Sequence, residues 1–153
     1  MALLSALACA ALPQMALAQT TESAEERETR HHLSLILGAT TLVEDGETAI
    51  TYGVDYEYEL SERLGIGFVA ERAEGAVDAT TLLAVMDIHL QPGFVLQIGP
   101  GVEWAEGETF FIARTGLLYE IDIGDWVIAP TVSYDFSEGP DAVIYGVTVG
   151  VRF

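Results

Sequence analysis

The feature that most constrains this sequence is an alternation of apolar and polar residues with a period of two, which begins at His31 and continues to Phe153. Such a period predicts β-strands whose two faces differ in polarity. Turn-forming residues divide the alternation into eight runs, so we predict eight strands. The predicted strands are 31–43, 48–60, 64–73, 80–90, 94–105, 109–123, 126–137 and 142–153.

The short segments between these runs leave no room for a crossover helix. Neighbouring strands are therefore predicted to be antiparallel. Strands that occupy most of a chain need an architecture without long unpaired edges, and a closed barrel provides one. We predict an all-β fold in which residues 31–153 form an eight-stranded antiparallel up-and-down barrel.

Counting residues through the predicted turns gives the pairing between strands. The turn between the sixth and seventh runs sets Arg114 opposite Asp135, and the turn between the second and third sets Glu57 opposite Gly67. A slip of one residue would move these carboxylates to the apolar face. The register therefore predicts one continuous polar face and one apolar face.

The apolar face is too large to fit inside eight strands, whose interior is only just wide enough to be filled by side chains. We therefore predict that it points outward to lipid and that the polar face, which carries many glycines, lines the lumen. Aromatic residues fall near the two ends of the strands, as in the interfacial girdles of transmembrane barrels. The girdle residues are Tyr58, Phe94, Tyr119 and Trp126 at one end, and Trp104 and Tyr134 at the other.

The predicted lumen holds many more acids than cations. Arg114 and Arg152 are the cations, and we expect Arg114 to lie between Asp135 and Glu103 or a neighbouring pair. Buried charges are tolerated when they are paired, hydrated or neutralised. The set forms either a salt-bridge network in a plugged barrel or a cation site or narrow path, and whether a metal binds is left open. The remaining acids of the network are Asp55, Glu57, Glu71, Asp87 and Glu120.

The amino terminus has the pattern of an export signal. Residues 1–18 carry no charge and end in Ala16-Leu17-Ala18, which predicts a signal peptide with an A-x-A cleavage site. Residues 19–30 are polar and are interpreted as a flexible leader. The single cysteine, Cys9, lies within the predicted signal peptide, so the mature chain has no disulfide and no thiolate metal site.

The charge composition excludes several functions. The chain has six arginines, no lysine and a net charge of −18, which argues against binding to nucleic acid. Without lysine there is no phosphate-binding P-loop, and no G-x-S-x-G motif occurs. We expect no cofactor. These absences favour a protein that is not an enzyme, although an activity is left open.

Residues 31–153 resemble the small eight-stranded outer-membrane barrels of Gram-negative bacteria, typified by outer-membrane proteins A and X. The most specific element is the terminal strand, which alternates through Tyr145, Val149 and Val151 to a terminal Phe153. The resemblance implies that this pattern is the signal read by the barrel-assembly machinery. It also implies a monomer in the outer membrane, with both termini, the leader and the short turns in the periplasm.

Three functions are compatible with this resemblance. The first is a structural or envelope-stabilising role, and the second is a narrow cation-selective channel. The third is a lipid A-modifying enzyme, because His32-Leu33-Ser34 is similar to the His-x-Ser of lipid A deacylases. Pro100 and Pro130 interrupt two strands, similar to the proline-flanked gates of lipid A palmitoyltransferases.

Acidic residues also gather in the predicted connections. We expect outer-membrane lipid and lipopolysaccharide to be the partners of these connections, with divalent cations bridging carboxylates to lipid phosphates. His31, His32 and His89 are also candidates for a metal cluster, but nothing in the sequence brings a third ligand to a fixed spacing from the other two. The acids of the connections are Glu44, Asp45, Glu47, Glu74, Asp78, Glu106, Glu108, Glu138 and Asp141.

Overall fold

The computed structural model describes residues 30–153, so the predicted signal peptide and nearly all of the predicted leader lie outside the described residues. No helix in the described range is long and apolar enough to span a membrane. The described chain consists of nine β-segments. They are β1 (His31–Leu42), β2 (Thr48–Ser61), β3 (Leu64–Gly75), β4 (Ala79–Gln91), β5 (Phe94–Ala105), β6 (Glu108–Tyr119), β7 (Ile121–Ile123), β8 (Trp126–Ser137) and β9 (Ala142–Arg152).

The segments form a closed antiparallel barrel. Each segment from β1 to β5 pairs with the next along the chain, β8 pairs with β6, β7 and β9, and β9 pairs with β1. β6 and β7 lie end to end against β8 and together make one of the eight strands. The predicted eight-stranded antiparallel barrel is therefore confirmed.

The pairing register agrees with the register counted through the turns. Arg114 lies opposite Asp135, and Glu57 lies opposite Gly67. Following paired residues once round the barrel from His31 returns to β1 ten residues further along, which shows that the strands are staggered and inclined to the barrel axis. This path runs through Tyr58, Ile66, Met86, Ile98, Thr115, Tyr134 and Val143 to Thr41.

The sixth predicted strand, 109–123, is interrupted at Glu120, where β6 ends and β7 has not yet begun. Tyr119 would pair with Pro130 in the register of β6 and β8, but proline has no N–H to donate. The Glu120 N–H faces β5 and donates to the carbonyl oxygen of Gly93 at 2.6 Å. The missing donor of Pro130 accounts for the break.

The connection predicted at 74–79 is shorter than expected, because β3 continues to Gly75 and β4 begins at Ala79. Arg72 on β3 joins the two strands there: it forms an ion pair with Asp78 and donates to Thr80 Oγ1 at 3.0 Å. The connections at this end of the barrel are all short. We call it the loop end, and the end that holds His31 and Phe153 the terminal end.

The outward face is apolar, as predicted. Leu35 and Ile50, for example, are 62 % and 71 % exposed although both lie in the middle of hydrogen-bonded strands. Aromatic side chains lie on this face near both ends. Phe94 packs on Tyr119 at a centroid distance of 4.7 Å at the terminal end, and Tyr134 packs on Phe136 at the same distance at the loop end. Tyr58, Trp104 and Trp126 also lie on the outer surface.

Glycines allow the strands to approach one another around the lumen. Gly38 and Gly146 face each other across β1 and β9, and a Cβ on Gly38 would lie 2.9 Å from the Gly146 Cα. Real Cβ atoms do not come so close, so a larger residue would push the two strands apart. These glycines help to keep the lumen narrow enough to be filled.

The predicted continuous polar face is wrong in one respect, because a buried apolar cluster divides the lumen. Along β1, Ile36 separates Ser34 from Thr40, and along β4 two apolar residues separate Asp87 from Thr81. The cluster excludes water where the inner side chains meet. Its members are Ile36, Val69, Leu83, Val85 and Ile112.

Candidate functional site

The polar residues of the lumen fall into two groups on either side of the apolar cluster. We call the group toward the loop end the Arg114 cluster and the group toward the terminal end the His32 cluster. The Arg114 cluster comprises Arg114, Glu71, Asp135, Glu103 and Thr81. The His32 cluster comprises His32, Ser34, Asp55, Glu57, Asp87, His89, Gln97, Glu120 and Arg152.

Arg114 ties three strands together inside the barrel. Its Nε donates to Asp135 Oδ1 at 2.6 Å, and its Nη2 donates to Asp135 Oδ2 at 2.7 Å. The same Nη2 donates across the lumen to Glu71 Oε2 at 2.6 Å. All three residues are buried, with Arg114 only 4 % exposed. A two-point contact between guanidinium and carboxylate fixes both side chains, and the further bond to Glu71 extends this group across the lumen.

The prediction that Glu103 is a partner of Arg114 is wrong, because Glu71 from β3 takes that place. Glu103 instead accepts a hydrogen bond of 3.3 Å from Thr81 Oγ1 on β4. One strand, β6, lies between Glu103 on β5 and Asp135 on β8. Glu71 lies on β3 and reaches Arg114 from the opposite side of the lumen. Strand register alone does not report contacts across a lumen.

In the His32 cluster, the imidazole lies near two carboxylates, one on the adjacent strand β2 and one on a strand that does not pair with β1. His32 Nδ1 is 3.9 Å from Glu57 Oε2 and 3.7 Å from Glu120 Oε1. Glu57 comes from β2, and Glu120 comes from the break between β6 and β7. The register with β8 is the same on both sides of this break, so Glu120 keeps the parity of the lumen-facing residues of β6.

Hydrogen bonds hold the other atom of each of these side chains. His32 Nε2 lies 3.0 Å from Ser34 Oγ, and Glu57 Oε1 lies 2.9 Å from His89 Nε2. Arg152 Nη2 donates to Glu120 Oε2 at 2.7 Å. These partners fix the orientations of the imidazole and of both carboxylates.

A second acidic pair lies deeper in the His32 cluster. The Gln97 amide donates to Asp55 Oδ2 at 3.1 Å and to Asp87 Oδ1 at 3.0 Å, so one neutral side chain serves two carboxylates. Asp87 is 3 % exposed, and its Oδ2 has no hydrogen-bond partner. Asp55 and Asp87, which were predicted to belong to the lumen network, thus bind Gln97, and within residues 30–153 the partners of Arg114 and Arg152 are other acids.

Arg152 binds the acids at the terminal end. Besides Glu120, it donates to Asp122 Oδ1 at 2.6 Å, and its Nε lies 3.8 Å from Glu59 Oε1. Its side chain is 27 % exposed and that of Asp122 is 67 % exposed. This ion-pair group thus forms the rim of the lumen, where water reaches it.

The cavities beside the two clusters are small. The cavity lined by the His32 cluster has a volume of about 20 Å³, and the cavity beside Arg114 has a volume of about 10 Å³. A space of that size holds one water molecule. A larger cavity of about 190 Å³ lies at the loop end, where Asp45, Asp78 and Glu106 are among its lining residues.

The motif His32-Leu33-Ser34 forms the pair that nucleophilic catalysis would need. The 3.0 Å contact between Ser34 Oγ and His32 Nε2, with carboxylates near Nδ1, follows the order of a Ser-His-acid triad. Both residues are enclosed in the lumen, however, with Ser34 only 4 % exposed. A lipid ester does not fit the adjoining cavity, so the geometry does not favour hydrolysis of lipid.

Pro100 opens a gap between β4 and β5. The pairs of Ala84 with Pro100 and of Val85 with Gly99 are absent from the ladder, although the pairs on either side of them are present. An apolar groove of about 660 Å³ lies over this gap on the outer face, with Tyr58 and Pro100 among its lining residues. The gap is local, because the register is the same on both sides of it.

The terminal strand closes the barrel beside its first strand. The His31 N–H donates to the Phe153 carbonyl at 3.0 Å, and the Phe153 N–H donates to the His31 carbonyl at 2.8 Å. The two rings are stacked at a centroid distance of 5.5 Å. Tyr145, Val149 and Val151 point outward along the same strand, so all four residues of the predicted assembly signal share the outer face.

Two residues were not recognised from the sequence as members of this site. From the sequence, His32 was grouped with His31 and His89 or with Ser34, but not with the carboxylates. In the structure, His31 lies on the outer face and bonds Tyr56 Oη, while His32 faces Glu57 and Glu120. Gln97, which lies opposite Asp87, was given no role. The opposite parity of His31 and His32 was a signal that only one of them faces the lumen.

Neither a protein-family model nor a curated protein matches this chain. Among solved structures, the N-terminal β-barrel domain of Pseudomonas aeruginosa OprF has a TM-score of 0.60 and 14 % identity, covering 82 % of this chain and 98 % of that one. Ail, the attachment invasion locus protein of Yersinia pestis, has a TM-score of 0.58 and 16 % identity, covering 82 % and 99 %.

A structure from the de novo design of transmembrane β-barrels has a TM-score of 0.53 and 16 % identity, covering 81 % of this chain and 96 % of that one. A designed barrel carries no inherited activity, so what it shares with this chain is architecture. Together these likenesses establish the fold as that of the small outer-membrane β-barrels.

Proposed function

We propose that this protein is an outer-membrane barrel with a structural, envelope-stabilising role, and that its lumen is closed to ions and substrates. The observation that carries the proposal is the Arg114 bridge, which joins Glu71 and Asp135 across the interior at 2.6 Å. The apolar cluster beneath the bridge adds a second barrier. The apolar outer face supports insertion in a membrane, and the uncharged residues 1–18 support export through a cleaved signal peptide.

The cation-channel alternative would require this bridge to open. Separating a buried guanidinium from its carboxylates leaves charges unpaired in a confined space, which typically costs about 3–5 kcal/mol. A passing cation would also have to cross the side chains around Leu83, which is 1 % exposed. Acidic side chains alone therefore do not make this lumen a conducting path.

Planar-bilayer recording tests the closed lumen. We expect folded wild-type protein to give no discrete conductance steps. An open porin reconstituted from the same detergent is the positive control and should give such steps. An Arg114→Ala, Glu71→Ala double variant removes the bridge without adding charge, and its conductance measures whether the bridge is the main barrier. Cation-selective steps from the wild-type protein would contradict the proposal.

A deletion strain of the source bacterium tests the envelope role. We expect deletion to increase sensitivity to detergents and to large antibiotics that an intact outer membrane excludes, and expect the wild-type gene to restore resistance. Lipid A analysed by mass spectrometry should be the same with and without the gene. A change in lipid A would favour the lipid-modifying alternative instead.

We also propose that lipopolysaccharide is a partner of the loop end. The acids around the loop-end cavity would repel lipid phosphates directly, and hard divalent cations with oxygen ligands can bridge the two. Melting in lipopolysaccharide-containing bilayers should then shift upward with Mg²⁺ or Ca²⁺. A variant with Asp45→Asn, Glu47→Gln and Glu106→Gln should lose part of that shift. An equal shift in the variant, or none in the wild type, would count against the idea.

A further inference from the structure

Three atoms of the His32 cluster converge on one point of the lumen. His32 Nδ1, Glu57 Oε2 and Glu120 Oε1 come from three different strands of the barrel, and one ligand atom from each side chain lies within 4.8 Å of the others. Histidine nitrogen and carboxylate oxygen are both ligand types that bind zinc in proteins. All three side chains are at most 11 % exposed, so bulk water competes little for them.

The hydrogen bonds described above leave these three atoms available. Ser34 engages the distal nitrogen of His32, His89 engages Glu57 Oε1, and Arg152 engages Glu120 Oε2. If His32 Nε2–H donates to Ser34, the lone pair of Nδ1 points toward the carboxylates. Metal-ligating histidines and carboxylates are held by outer partners in this manner.

An independent observation comes from Asp87. Its side chain is 97 % buried and lines the same cavity as His32, Glu57 and Glu120, yet its Oδ2 has no hydrogen-bond partner. Asp55 lines this cavity as well. Buried carboxylate oxygens need compensation, and a cation or a water bound to a cation would supply it.

We propose that His32, Glu57 and Glu120 bind one divalent transition-metal ion inside the barrel, and that Zn²⁺ is the ion that fits this ligand set. Zinc bonds of about 2.0 Å in tetrahedral geometry place ligand atoms about 3.3 Å apart. The spacings of 3.9 and 3.7 Å from His32 Nδ1 to the two carboxylates exceed this value by about half an ångström, and all three ligand atoms lie within 4.8 Å of one another. The imidazole nitrogen disfavours Mg²⁺ and Ca²⁺, which take oxygen ligands.

The cavity suits a single ion. Its volume of about 20 Å³ accommodates one ion or one water molecule. Asp87, with its unpartnered Oδ2, lines the same cavity. An ion would enter from the terminal end, where Arg152 and the exposed Asp122 form a polar rim. The bound ion would hold β1, β2 and the β6–β7 break together.

Calorimetric titration of Zn²⁺ into protein purified in detergent without a histidine tag tests the proposal. We expect one ion per barrel for the wild type. His32→Ala and Glu120→Gln should each lower the affinity by more than the 10–100-fold typical for loss of an outer partner, and Ser34→Ala should lower it within that range. His31→Ala is the matched control, because His31 bonds Tyr56 on the outer face, and it should bind like the wild type.

Two further measurements keep the test decisive. Mobility of unheated and heated samples in detergent gels shows whether each variant is folded, and Glu120→Gln, which keeps the shape of the side chain, replaces His32→Ala if the latter fails to fold. Visible absorption of Co²⁺ should be present in the wild type and lost in the folded ligand variants. Absence of binding to the wild type, or equal binding in these variants, would overturn the proposal. The Mg²⁺ effect on the loop end does not involve His32, so the two proposals can fail separately.

Discussion

At the scale of single residues, the same side-chain type has very different effects in the lumen and on the rim. Arg114 makes three charge-assisted hydrogen bonds while almost completely buried, whereas Arg63 is exposed in the turn between β2 and β3. Ion pairs that water reaches contribute little, because solvent screens them. Removing one partner of a buried pair leaves the other charge uncompensated.

We therefore expect Arg114→Ala to destabilise the folded barrel by about 3–5 kcal/mol and Arg63→Ala by less than about 1 kcal/mol. Urea titration of both variants in the same detergent measures the difference. Equal midpoints would show that the interior is hydrated enough to replace the guanidinium.

Asp141, in the connection between β8 and β9, gives a prediction about pH. The Ser137 N–H at 2.9 Å and the Tyr134 hydroxyl at 2.8 Å both donate to its carboxylate, and these bonds lower its pKa below the ordinary 3.8. Because the pKa of Asp141 is lower in the folded protein, its charge stabilises the fold at pH values above the pKa that it has in the unfolded chain. This contribution is lost as the pH falls through the pKa that it has in the folded protein.

Asp141→Ala should therefore lower the melting temperature at pH 6, and the difference from the wild type should shrink as the pH falls below about 4. Asp45→Ala, in an exposed connection, is the control and should change little at either pH. A difference that stays constant down to pH 2 would indicate that the charge of Asp141 does not matter.

At the scale of elements, the strands and their register followed from the sequence, because turn length and alternation together determine which residues face each other. The break at Glu120 was not predicted in this way, because the break depends on the backbone N–H that Pro130 lacks in the partner strand. The Glu71–Arg114 contact was not predicted either. That contact spans the lumen, and its geometry depends on barrel closure rather than on any one hairpin.

Pro100 offers a test of how much a ladder gap costs. Pro100→Val restores an N–H facing Ala84 on β4 and keeps an apolar side chain on the outer face, so we expect it to stabilise the barrel by about 1 kcal/mol. Pro140→Val, in a connection, controls for the greater freedom of the unfolded chain. A urea midpoint for Pro100→Val no higher than that of Pro140→Val would mean that β4 and β5 stay apart for another reason.

At the scale of the whole molecule, the sequence indicated which face meets lipid, because the apolar set is larger than an eight-stranded interior. The sequence did not indicate that the lumen residues form two polar clusters with an apolar layer between them. Ile36 and Leu83 lie on the lumen face, which the register predicted to be polar throughout, and they belong to the apolar layer between the clusters. His32 and Glu120 are 88 residues apart in sequence, so only the closed barrel brings them together.

The terminal residue gives a prediction about assembly. If Phe153 is read by the assembly machinery, Phe153→Ser should reduce the amount of folded protein in outer-membrane fractions. Phe94→Ser removes an exposed aromatic ring from the same end of the barrel and should have a smaller effect. Fractionation of cells that express each variant measures this, and normal insertion of Phe153→Ser would contradict the assembly signal.

The hydrogen bonds between His31 and Phe153 make the two ends of the barrel domain neighbours in space. Which strand comes first is therefore arbitrary for the closed ring. A circular permutant, with a short linker from Phe153 to His31 and new ends between Glu44 and Glu47, should refold in detergent to the same barrel. In cells it would present β1 instead of β9 as its last strand. If the permutant folds in detergent but is not inserted in cells, the residues that stabilise the closed barrel differ from those that direct its insertion into the membrane.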